Sequence, residues 1–385
     1  MKKFTKCISL LLLGLVLVFA GCKEDSDDSD EGSKRAKPTE AGVTALSNLK
    51  ALEDFSGVYT LEYEGAYCLD KMLETGAATE EALLTALSEQ IASDWKCTKT
   101  LSDKASISFN LAGDYGCASI VADNAAKAGG KIYGRNFDWD DVSILLIHTK
   151  PYPSGYESYS TSCLEFIGLD RDWEPTNNPL NDAVALGAIF VPMDGMNEKG
   201  LYIANLMAGD DEETAQTDES KKAITTTVAI RMILDKAATV DEAVALLKKY
   251  NMHSVHDTAH HFAIADSSGK SVAVEWHNNQ IYVTETKVLT NHYITKEIAE
   301  DTNVEMPGED ASTWERFAKL KAAGDSSEWK MSAEDVRAAL EDASANQYST
   351  KGNHLSVWSA VFEPATKTIT YYFREGWDKP VKVQF

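Results

Sequence analysis

The sequence predicts an α+β fold with layered sheets, because its strand candidates cluster and its helix candidates cluster. Strand candidates gather at 117–148, 260–286 and 356–374, and helix candidates gather at 225–250 and 313–343. This grouping differs from the regular βαβ alternation that produces parallel sheets. Hydrophobic residues make up 44% of the 385 residues and charged residues 25%, so the chain can bury a large core.

The first 21 residues predict an export signal. Three lysines precede an apolar run over 8–20, which is shorter than the roughly 20 residues of a spanning helix. The ending Val18 to Cys22 resembles a bacterial lipobox, which implies that Cys22 becomes a lipidated N-terminus. We expect an exported protein that Cys22 anchors to a bacterial membrane, at the outer membrane or the cell surface. An ordinary secretory signal and a single anchor helix are the alternatives.

Residues 22–44 are predicted to be a disordered acidic tether. Positions 23–31 hold six acids, one lysine and no apolar residue, so they cannot bury surface to offset their conformational entropy. The whole chain carries a net charge of −23. This balance disfavours nucleic acid as a partner, and it disfavours membrane contact through a basic surface. The expected membrane contact is therefore the lipid anchor alone.

Residues 45–116 are expected to form a pro-region or a small subunit, and they look helical. Thr79 is a candidate N-cap, and an apolar stripe follows it at helical spacing (Leu83, Leu84, Leu87 and Ile91). Residues 106–111 alternate like a strand.

Elements of the body follow from period and turn chemistry. Strands are predicted at 117–122, 131–134, 143–148, 185–191, 261–266, 272–276, 280–286, 356–362 and 368–374. Helices are predicted at 225–238, 240–250, 313–322 and 332–343. Thr239 and Glu242 have the spacing of a capping box, and Ser268-Gly269 and Asn278-Asn279 mark tight turns.

Four cysteines remain once the signal and the anchor are set aside: Cys68, Cys97, Cys117 and Cys163. In an oxidising compartment Cys68 and Cys97 can pair, although the sequence does not determine the connectivity. Cys117 or Cys163 would then keep a free thiol, and an exported free thiol suggests a function.

Several common catalytic motifs are absent. The sequence has neither a Gly-x-Ser-x-Gly elbow nor a Cys-x-x-Cys pair, and residues 268–271 lack the first glycine of a phosphate loop. The histidines at 253, 256, 260 and 261 form the only metal-like cluster. Because residues 260–266 read as a strand and no carboxylate motif joins them, we expect no metal and no cofactor.

The informative stretch is Gly116 to Ala122, followed by Tyr133 to Trp139. Cys117 opens one strand, and Arg135 and Asp138 follow a glycine after the next. This arrangement resembles the choloylglycine hydrolase family of linear amide C–N hydrolases and its N-terminal-nucleophile relatives: bile salt hydrolases, penicillin V acylases and acid ceramidase-like amidases. The resemblance implies a four-layer αββα sandwich over 117–385.

Four further segments match this family in order: 194–201, 266–275, 288–291 and 312–317. Three features depart from the family. The Cys117 to Arg135 spacing is two residues longer, which a turn can absorb without changing strand facing. Met207 stands where relatives often have an asparagine, with Asn205 two positions earlier. The segment before Cys117 is also long.

Site roles follow from the resemblance. Cys117 would be the nucleophile and its own α-amine the base, which explains why no histidine lies near it in sequence. Arg135 would stabilise the thiolate and Asp138 would orient the amine. Asn291 would donate to the oxyanion, and Arg316 would complete the charge network.

The amine exists only after a cut between Gly116 and Cys117, and the family implies self-cleavage there. Gly116 suits this step because it has no side chain to block the approach. Residues 22–116 then either leave as a propeptide or stay as a subunit, and both outcomes remain open.

The function expected from these features is a cysteine amidase that hydrolyses a non-peptide linear amide of a small molecule. A bile salt conjugate, penicillin V or another N-acyl amide fits this chemistry. Two alternatives stay open: an acyltransferase using the same thioester, and a non-catalytic surface lipoprotein that binds a hydrophobic ligand. Homo-oligomerisation is also left open.

Overall fold

The structure is a computed structural model. It describes residues 44–79, 82–83, 85–86, 116–151, 153–176, 182–208, 214–254, 258–301, 303–304, 306–308, 311–348 and 354–385. The export signal, Cys22, Cys97, His256 and the strand candidate at 106–111 lie outside these residues. No helix within the described ranges is both long and apolar enough to cross a membrane.

The strands of the described residues are as follows. They are β1 (Lys50–Ala51), β2 (Val58–Gly65), β3 (Gly116–Asn124), β4 (Lys131–Asp140), β5 (Ile144–Pro151), β6 (Ser158–Cys163), β7 (Asp194–Asn197), β8 (Tyr202–Met207), β9 (Lys222–Thr225), β10 (Tyr250–His253), β11 (His260–Ala265), β12 (Ser271–His277), β13 (Gln280–Glu285), β14 (Val288–Leu289), β15 (Lys330–Met331), β16 (His354–Glu363), β17 (Thr368–Phe373) and β18 (Val381–Gln384).

The helices fall mainly in two groups. They are α1 (Leu69–Thr75), α2 (Thr226–Lys236), α3 (Val240–Leu247), α4 (Lys296–Ala299), α5 (Ser312–Ser326), α6 (Ala333–Asp342) and α7 (Ala345–Tyr348), with 3₁₀ helices at Leu164–Ile167 and Ala183–Phe190.

Two large sheets form the centre of the described part of the chain. The first has nine strands in the order β1-β2-β5-β6-β7-β8-β11-β12-β13, and the second has seven, with β14-β3-β4-β16-β17-β18 in a row and β15 beside β3. Most neighbours in the two sheets are antiparallel, while β2 pairs with β5 in parallel. The two-stranded pair of β9 and β10 stands apart from both sheets.

Helices cover the outer faces of these sheets. Helices α2 and α3 pack on the first sheet, against β7, β8 and β12. Helices α5 and α6 pack on the second, against β3, β4 and β16. Strands β3 and β8 contact each other across the two sheets. The layer order is therefore helix, sheet, sheet, helix, and the predicted αββα architecture is confirmed.

Most of the predicted body elements are confirmed. The strand hairpins at 117–140, 260–285 and 354–373 form as expected, each with apolar strand residues on both sides of a turn. Asn278 and Asn279 adopt φ values of 49° and 62°, the left-handed turn that asparagine tolerates. The 268–271 segment is a hairpin turn. Thr239 caps α3, although the Glu242 carboxylate accepts from Ala238 N rather than from the cap residue.

One predicted strand is wrong. Residues 185–191 were expected to form a strand, yet Ala183–Phe190 is a 3₁₀ helix in which all eight residues are buried. A short run that is apolar on every face carries no period, so it does not distinguish a buried strand from a buried helix.

The segment before Cys117 is only partly helical. Thr79 does cap a helix, since Ala82 N donates to its hydroxyl at 3.1 Å, but the stripe beyond 86 lies outside the described residues. Strand β2 enters the first sheet and pairs with β5 over eight residues, from Val58 opposite Ile144 to Gly65 opposite Pro151. This part of the chain is thus built into the core of the fold.

Candidate active site

The β3–β4 hairpin brings the sequence-predicted residues together. Gly116 lies opposite Asp138 and Cys117 opposite Phe137 in the antiparallel register. Arg135 and Asp138 are three residues apart on β4, so their side chains leave the strand on opposite faces. Arg135 enters the space between the sheets, and Asp138 faces the helical layer. The two charges therefore approach the start of β3 from two sides.

The backbone of Cys117 is held by two side chains from elsewhere in the chain. Its N–H donates to Asn291 Oδ1 at 2.7 Å, and its carbonyl accepts from an Arg316 Nη atom at 2.6 Å. The residue is 1% exposed. Its Sγ lies 4.0 Å from the carbonyl oxygen of Asn205.

Arg316, in the second turn of α5, connects the site. Besides the Cys117 carbonyl, it donates to Asn291 Oδ1 at 2.8 Å and lies 3.6 Å from Asp138 Oδ2. The fold thus unites all five predicted catalytic residues and Gly116, although their sequence positions span 200 residues.

The Arg135 guanidinium is fully buried and held by three acceptors. It lies 3.3 Å from Asp194 Oδ2 and donates to the carbonyls of Asn205 at 2.8 Å and Asn136 at 2.7 Å. Trp358 Nε1 donates to the same Asp194 oxygen at 2.8 Å. Sequence reasoning gave Asp194 no role beyond its motif and missed Trp358, because both contacts join distant strands.

The Cys117 thiol favours its neutral form in this arrangement. Burial raises the pKa of Cys117, and Arg135 and Arg316 lower it by less than burial raises it. Arg135 therefore acts in the expected direction, but a buried charge costs more than this contact returns. A base must take the proton before the sulfur can attack.

Asp138 is the carboxylate closest to the expected cut. Ser356 donates to its Oδ1 at 2.6 Å, while its Oδ2 has no hydrogen-bond partner among the described residues. A Cβ added to Gly116 would lie 2.8 Å from that Oδ2. Burial raises the pKa of Asp138 to about 6, and Arg316 and Ser356 moderate the rise. Sequence reasoning missed Ser356.

Asn291 is arranged differently from the expectation. Its Oδ1 accepts from Cys117 and Arg316, and its Nδ2 donates to the Met207 carbonyl at 3.0 Å. Its backbone N–H donates to Thr313 Oγ1 at 2.8 Å. This amide therefore positions the Cys117 nitrogen, and one hydrogen of Nδ2 is left for a further acceptor.

Both candidates for the missing family asparagine reach the site. Met207 supplies its carbonyl to Asn291, and Asn205 supplies its carbonyl to Arg135. The Asn205 side chain is buried, and its Oδ1 has no partner among the described residues. This amide lines a cavity of about 10 Å³ beside Cys117, with Phe137, Phe166, Met193, Met207 and His260. Such a space holds about one water molecule.

The other cysteines and histidines do not extend this site. Cys163 is buried on β6, and Cys68 Sγ lies 3.9 Å from the Ala86 carbonyl, while its expected partner Cys97 is outside the described residues. No cluster of three metal-ligating side chains occurs in the part of the chain that the structure describes. His253 is on β10, and His260 and His261 are on β11.

Comparisons with known proteins identify a matching family and solved structures of similar fold. Residues 126–377 match the family described as "Acyl-coenzyme A:6-aminopenicillanic acid acyl-transferase". Two structures of variants of the conjugated bile acid hydrolase from Clostridium perfringens each share 17% identity with the chain, and each match covers 70% of this chain and 92% of that one, with TM-scores of 0.51 and 0.50. Penicillin V acylase from Agrobacterium tumefaciens shares 20% identity over 67% of this chain and 83% of its own, with a TM-score of 0.46.

The comparison with curated proteins found no match. The family match covers more than half of the chain, and four of the five predicted catalytic residues fall inside it. The bile acid hydrolase similarity establishes the N-terminal-nucleophile hydrolase fold. The chain belongs to the acyl-coenzyme A:6-aminopenicillanic acid acyl-transferase family, a relative of the choloylglycine hydrolases and penicillin acylases, and the expected class of enzyme acting on non-peptide carbon–nitrogen bonds is confirmed.

Proposed function

We propose that this protein is a cysteine amidase that hydrolyses a linear, non-peptide amide through a thioester on Cys117. The observation that carries the proposal is the environment of the Cys117 nitrogen. Asn291 Oδ1 lies 2.7 Å from it, and the Asp138 carboxylate borders the preceding residue. A buried peptide N–H needs one acceptor, which Asn291 supplies. The carboxylate beside the preceding residue additionally suits an α-amine that must accept and return protons.

The amine arises by self-cleavage. Cys117 Sγ loses its proton and attacks the Gly116 carbonyl carbon; the C–N bond breaks, and the nitrogen leaves protonated as an amine. Water then hydrolyses the resulting thioester, which restores the thiol and leaves Gly116 with a carboxylate. Asp138 is the candidate base of the first step, acting through a water because its side chain leaves the sheet on the face opposite the thiol, and its pKa of about 6 leaves it ionised at neutral pH.

In turnover, the same thiol takes the acyl group of the substrate and the amine product leaves. The second hydrogen of Asn291 Nδ2 and the Asn205 side chain are the candidate donors to the oxyanion. Asn205 Nδ2 is an addition to the sequence-based set, because this buried amide lines the cavity beside Cys117 and directs only one of its two hydrogens toward His260 Nδ1, at 3.4 Å.

Intact mass of the purified full chain tests the proposal. We expect two fragments, one that ends at Gly116 and one that begins at Cys117. Cys117→Ala should give a single uncut, inactive chain. A panel of glycine- or taurine-conjugated bile salts, penicillin V and N-acyl amides then tests hydrolysis. An uncut wild-type chain, or full activity in Cys117→Ala, would refute the proposal.

Acyl transfer is the second candidate, and the description of the matched family favours it. The two reactions share the Cys117 thioester and differ in what resolves it. Adding an amine acceptor to the assay distinguishes them: a transferase forms a new amide at the expense of free acid, whereas a hydrolase releases the same acid with or without the amine.

We also propose that the N-terminal piece stays bound after the cut. Strand β2 contributes the buried Leu61 and Tyr63 to the core. Tyr67 hydrogen-bonds the buried Asp235 carboxylate of α2, and Asp70 pairs with Lys236 at 2.6 Å. The cut would therefore give a small subunit, and Cys22 would carry any lipid on that subunit.

A further inference from the structure

A buried His–Glu pair lies beside the active site but outside the proposed chemistry. His261 on β11 and Glu275 on β12 are both fully buried, and His261 Nδ1 lies 3.0 Å from Glu275 Oε1. Both strands belong to the first sheet, whereas Cys117 lies in the second. Burying such a pair is expensive unless every donor and acceptor is satisfied, so the contacts of this pair indicate what it holds.

The pair binds one short segment at three backbone positions. Glu275 Oε1 accepts from Ile294 N at 3.0 Å, and its Oε2 accepts from Thr295 N at 2.8 Å. His261 Nε2 lies 2.8 Å from the Thr290 carbonyl oxygen. These three anchors enclose residues 291–293, so they fix both ends of the turn that carries Asn291.

The hydrogen bonds of the pair indicate that Glu275 is ionised. A carbonyl oxygen only accepts, so His261 Nε2 carries a hydrogen toward Thr290. Both carboxylate oxygens of Glu275 accept backbone N–H groups, which favours the ionised form. Although burial raises the pKa of Glu275, His261 and the backbone donors lower it overall. Glu275 is therefore a carboxylate, and its two oxygens and both ring nitrogens of His261 are all engaged in hydrogen bonds.

We propose that the His261–Glu275 pair is a positioning device that fixes Asn291 against the nitrogen of Cys117. This inference rests on the proposed function only where it concerns turnover. Asn291 Oδ1 must lie within hydrogen-bond range of the Cys117 nitrogen in both the uncut chain and the cut enzyme. Thr313 Oγ1 accepts from the Asn291 backbone N–H at 2.8 Å, and the His261–Glu275 pair holds the residues on both sides of it from the opposite sheet.

Glu275→Gln separates the effect of the side chain's charge from the effect of its length. It keeps the length of the side chain, but its NH₂ group cannot accept from Thr295 N, and it removes the negative charge beside His261. Glu275→Asp keeps both acceptor oxygens on a side chain that is one methylene shorter. Asp235→Asn is the matched control, because Asp235 forms a buried ion pair with Arg231 that does not contact the 290–295 segment.

The first measurement is independent of activity: amide hydrogen exchange in the uncut Cys117→Ala chain. We expect Glu275→Gln to speed exchange at residues 294 and 295 and also at residue 117, by about tenfold or more, because the 117 N–H loses a fixed acceptor. Asp235→Asn should leave residue 117 unchanged. Faster exchange at 294 and 295 with residue 117 unchanged would mean a purely local role and would overturn the proposal.

The second measurement is turnover per cut, folded molecule. We expect Glu275→Gln to lower kcat by about 10- to 100-fold with little change in KM, as misplacement of a catalytic group does, and Glu275→Asp to recover part of the loss. Wild-type kcat in the Gln variant would refute the inference and leave the amidase intact. A wild-type chain that turns over nothing would refute the amidase, and the exchange result would still decide the positioning role. Should Glu275→Gln not fold, His261→Gln replaces it, with the same expected exchange at residue 117.

Discussion

The protonation of one carboxylate sets the chemistry of the site at the scale of single residues. Asp138 lies against Gly116 with an oxygen that no described residue hydrogen-bonds, and its pKa is about 6. The Cys117 thiol has a raised pKa and therefore needs a base. In the uncut chain there is no α-amine, so we propose that Asp138, which borders Gly116, supplies this function through an intervening water.

We therefore predict that self-cleavage slows as pH falls through about 6. Below that pH Asp138 is protonated and cannot take the thiol proton, so the rate should drop about tenfold per pH unit. Mass spectrometry of the chain after cell-free synthesis, at a series of pH values, measures this. Asp138→Asn should remove the pH-dependent limb together with most of the rate, whereas Asp123→Asn on the neighbouring strand β3 should keep the wild-type profile.

Asp138 also affects stability, with the opposite sign from most carboxylates. Its folded pKa of about 6 lies above its ordinary value of 3.8, so the folded chain binds the proton more tightly than the unfolded chain. The stability of the uncut protein should therefore fall as pH rises from about 4 to about 6 and change little above that from this group. Denaturant titrations of Cys117→Ala across this range measure the slope, and Asp138→Asn should flatten it.

The space around Gly116 leads to a further prediction at the scale of single residues. A Cβ there would lie 2.8 Å from Asp138 Oδ2 and 3.0 Å from its Cβ, so a side chain must push the carboxylate away from the scissile peptide. We expect Gly116→Ala to slow the cut by about 100-fold, the effect of a displacement near 1 Å. Gly129→Ala, where the added Cβ meets nothing within 4 Å but the φ of 73° strains a side chain, should lower stability and still cut at the wild-type rate. Equal rates in both variants would contradict this account.

Much of the fold could be predicted at the scale of helices and strands, because hairpins carry local signals. Apolar strand patterns and turn residues identified the β3–β4, β11–β12 and β16–β17 hairpins. The strand predicted at 185–191 was wrong, because the residues of the 183–190 helix are all apolar and have no period. Strand β2 was overlooked although its outward Glu62 and Glu64 alternate with the buried Leu61 and Tyr63. That alternation was a readable signal in a region dominated by helical patterns.

The active-site residues also divide into those that the sequence identified and those that it did not. Cys117, Arg135 and Asp138 could be identified because they lie on one hairpin and match a family motif. Ser356 and Glu275 could not, since they act through contacts with residues far away in sequence. Ser356 reaches Asp138 across 218 positions, and nothing in its local sequence distinguishes it from a surface serine.

Strand β2 allows a prediction about how the two pieces hold together. Leu61 is fully buried in the shared core, and its neighbour Glu62 is exposed. Leu61→Ala should weaken the cut protein by about 2–5 kcal/mol, the cost of removing a buried leucine side chain, and Glu62→Ala should be nearly neutral. The urea concentration at which the pieces separate on size exclusion measures both. Separation of the wild-type pieces without urea would refute the retained subunit.

At the scale of the whole molecule, the sequence predicts one precursor with an export signal, an acidic tether and the catalytic fold. The lipid anchor at Cys22 remains a proposal, as does the exported location. If both hold, the cut places the lipid on one piece and the nucleophile on the other. Strand β2 and the Tyr67–Asp235 contact would then be what keeps the catalytic body at the membrane.

This arrangement predicts how the protein leaves a membrane. Washing membranes that carry the cut wild-type protein with increasing urea should release the body, residues 117–385, while the lipidated piece stays behind, because only that piece is anchored. Leu61→Ala should release the body at lower urea than Glu62→Ala does. Cys22→Ser should leave both pieces together in the soluble fraction, cut as in the wild type. Release of both wild-type pieces at one urea concentration would contradict an anchor on the small piece, and a membrane-bound body in Cys22→Ser would place the membrane contact elsewhere.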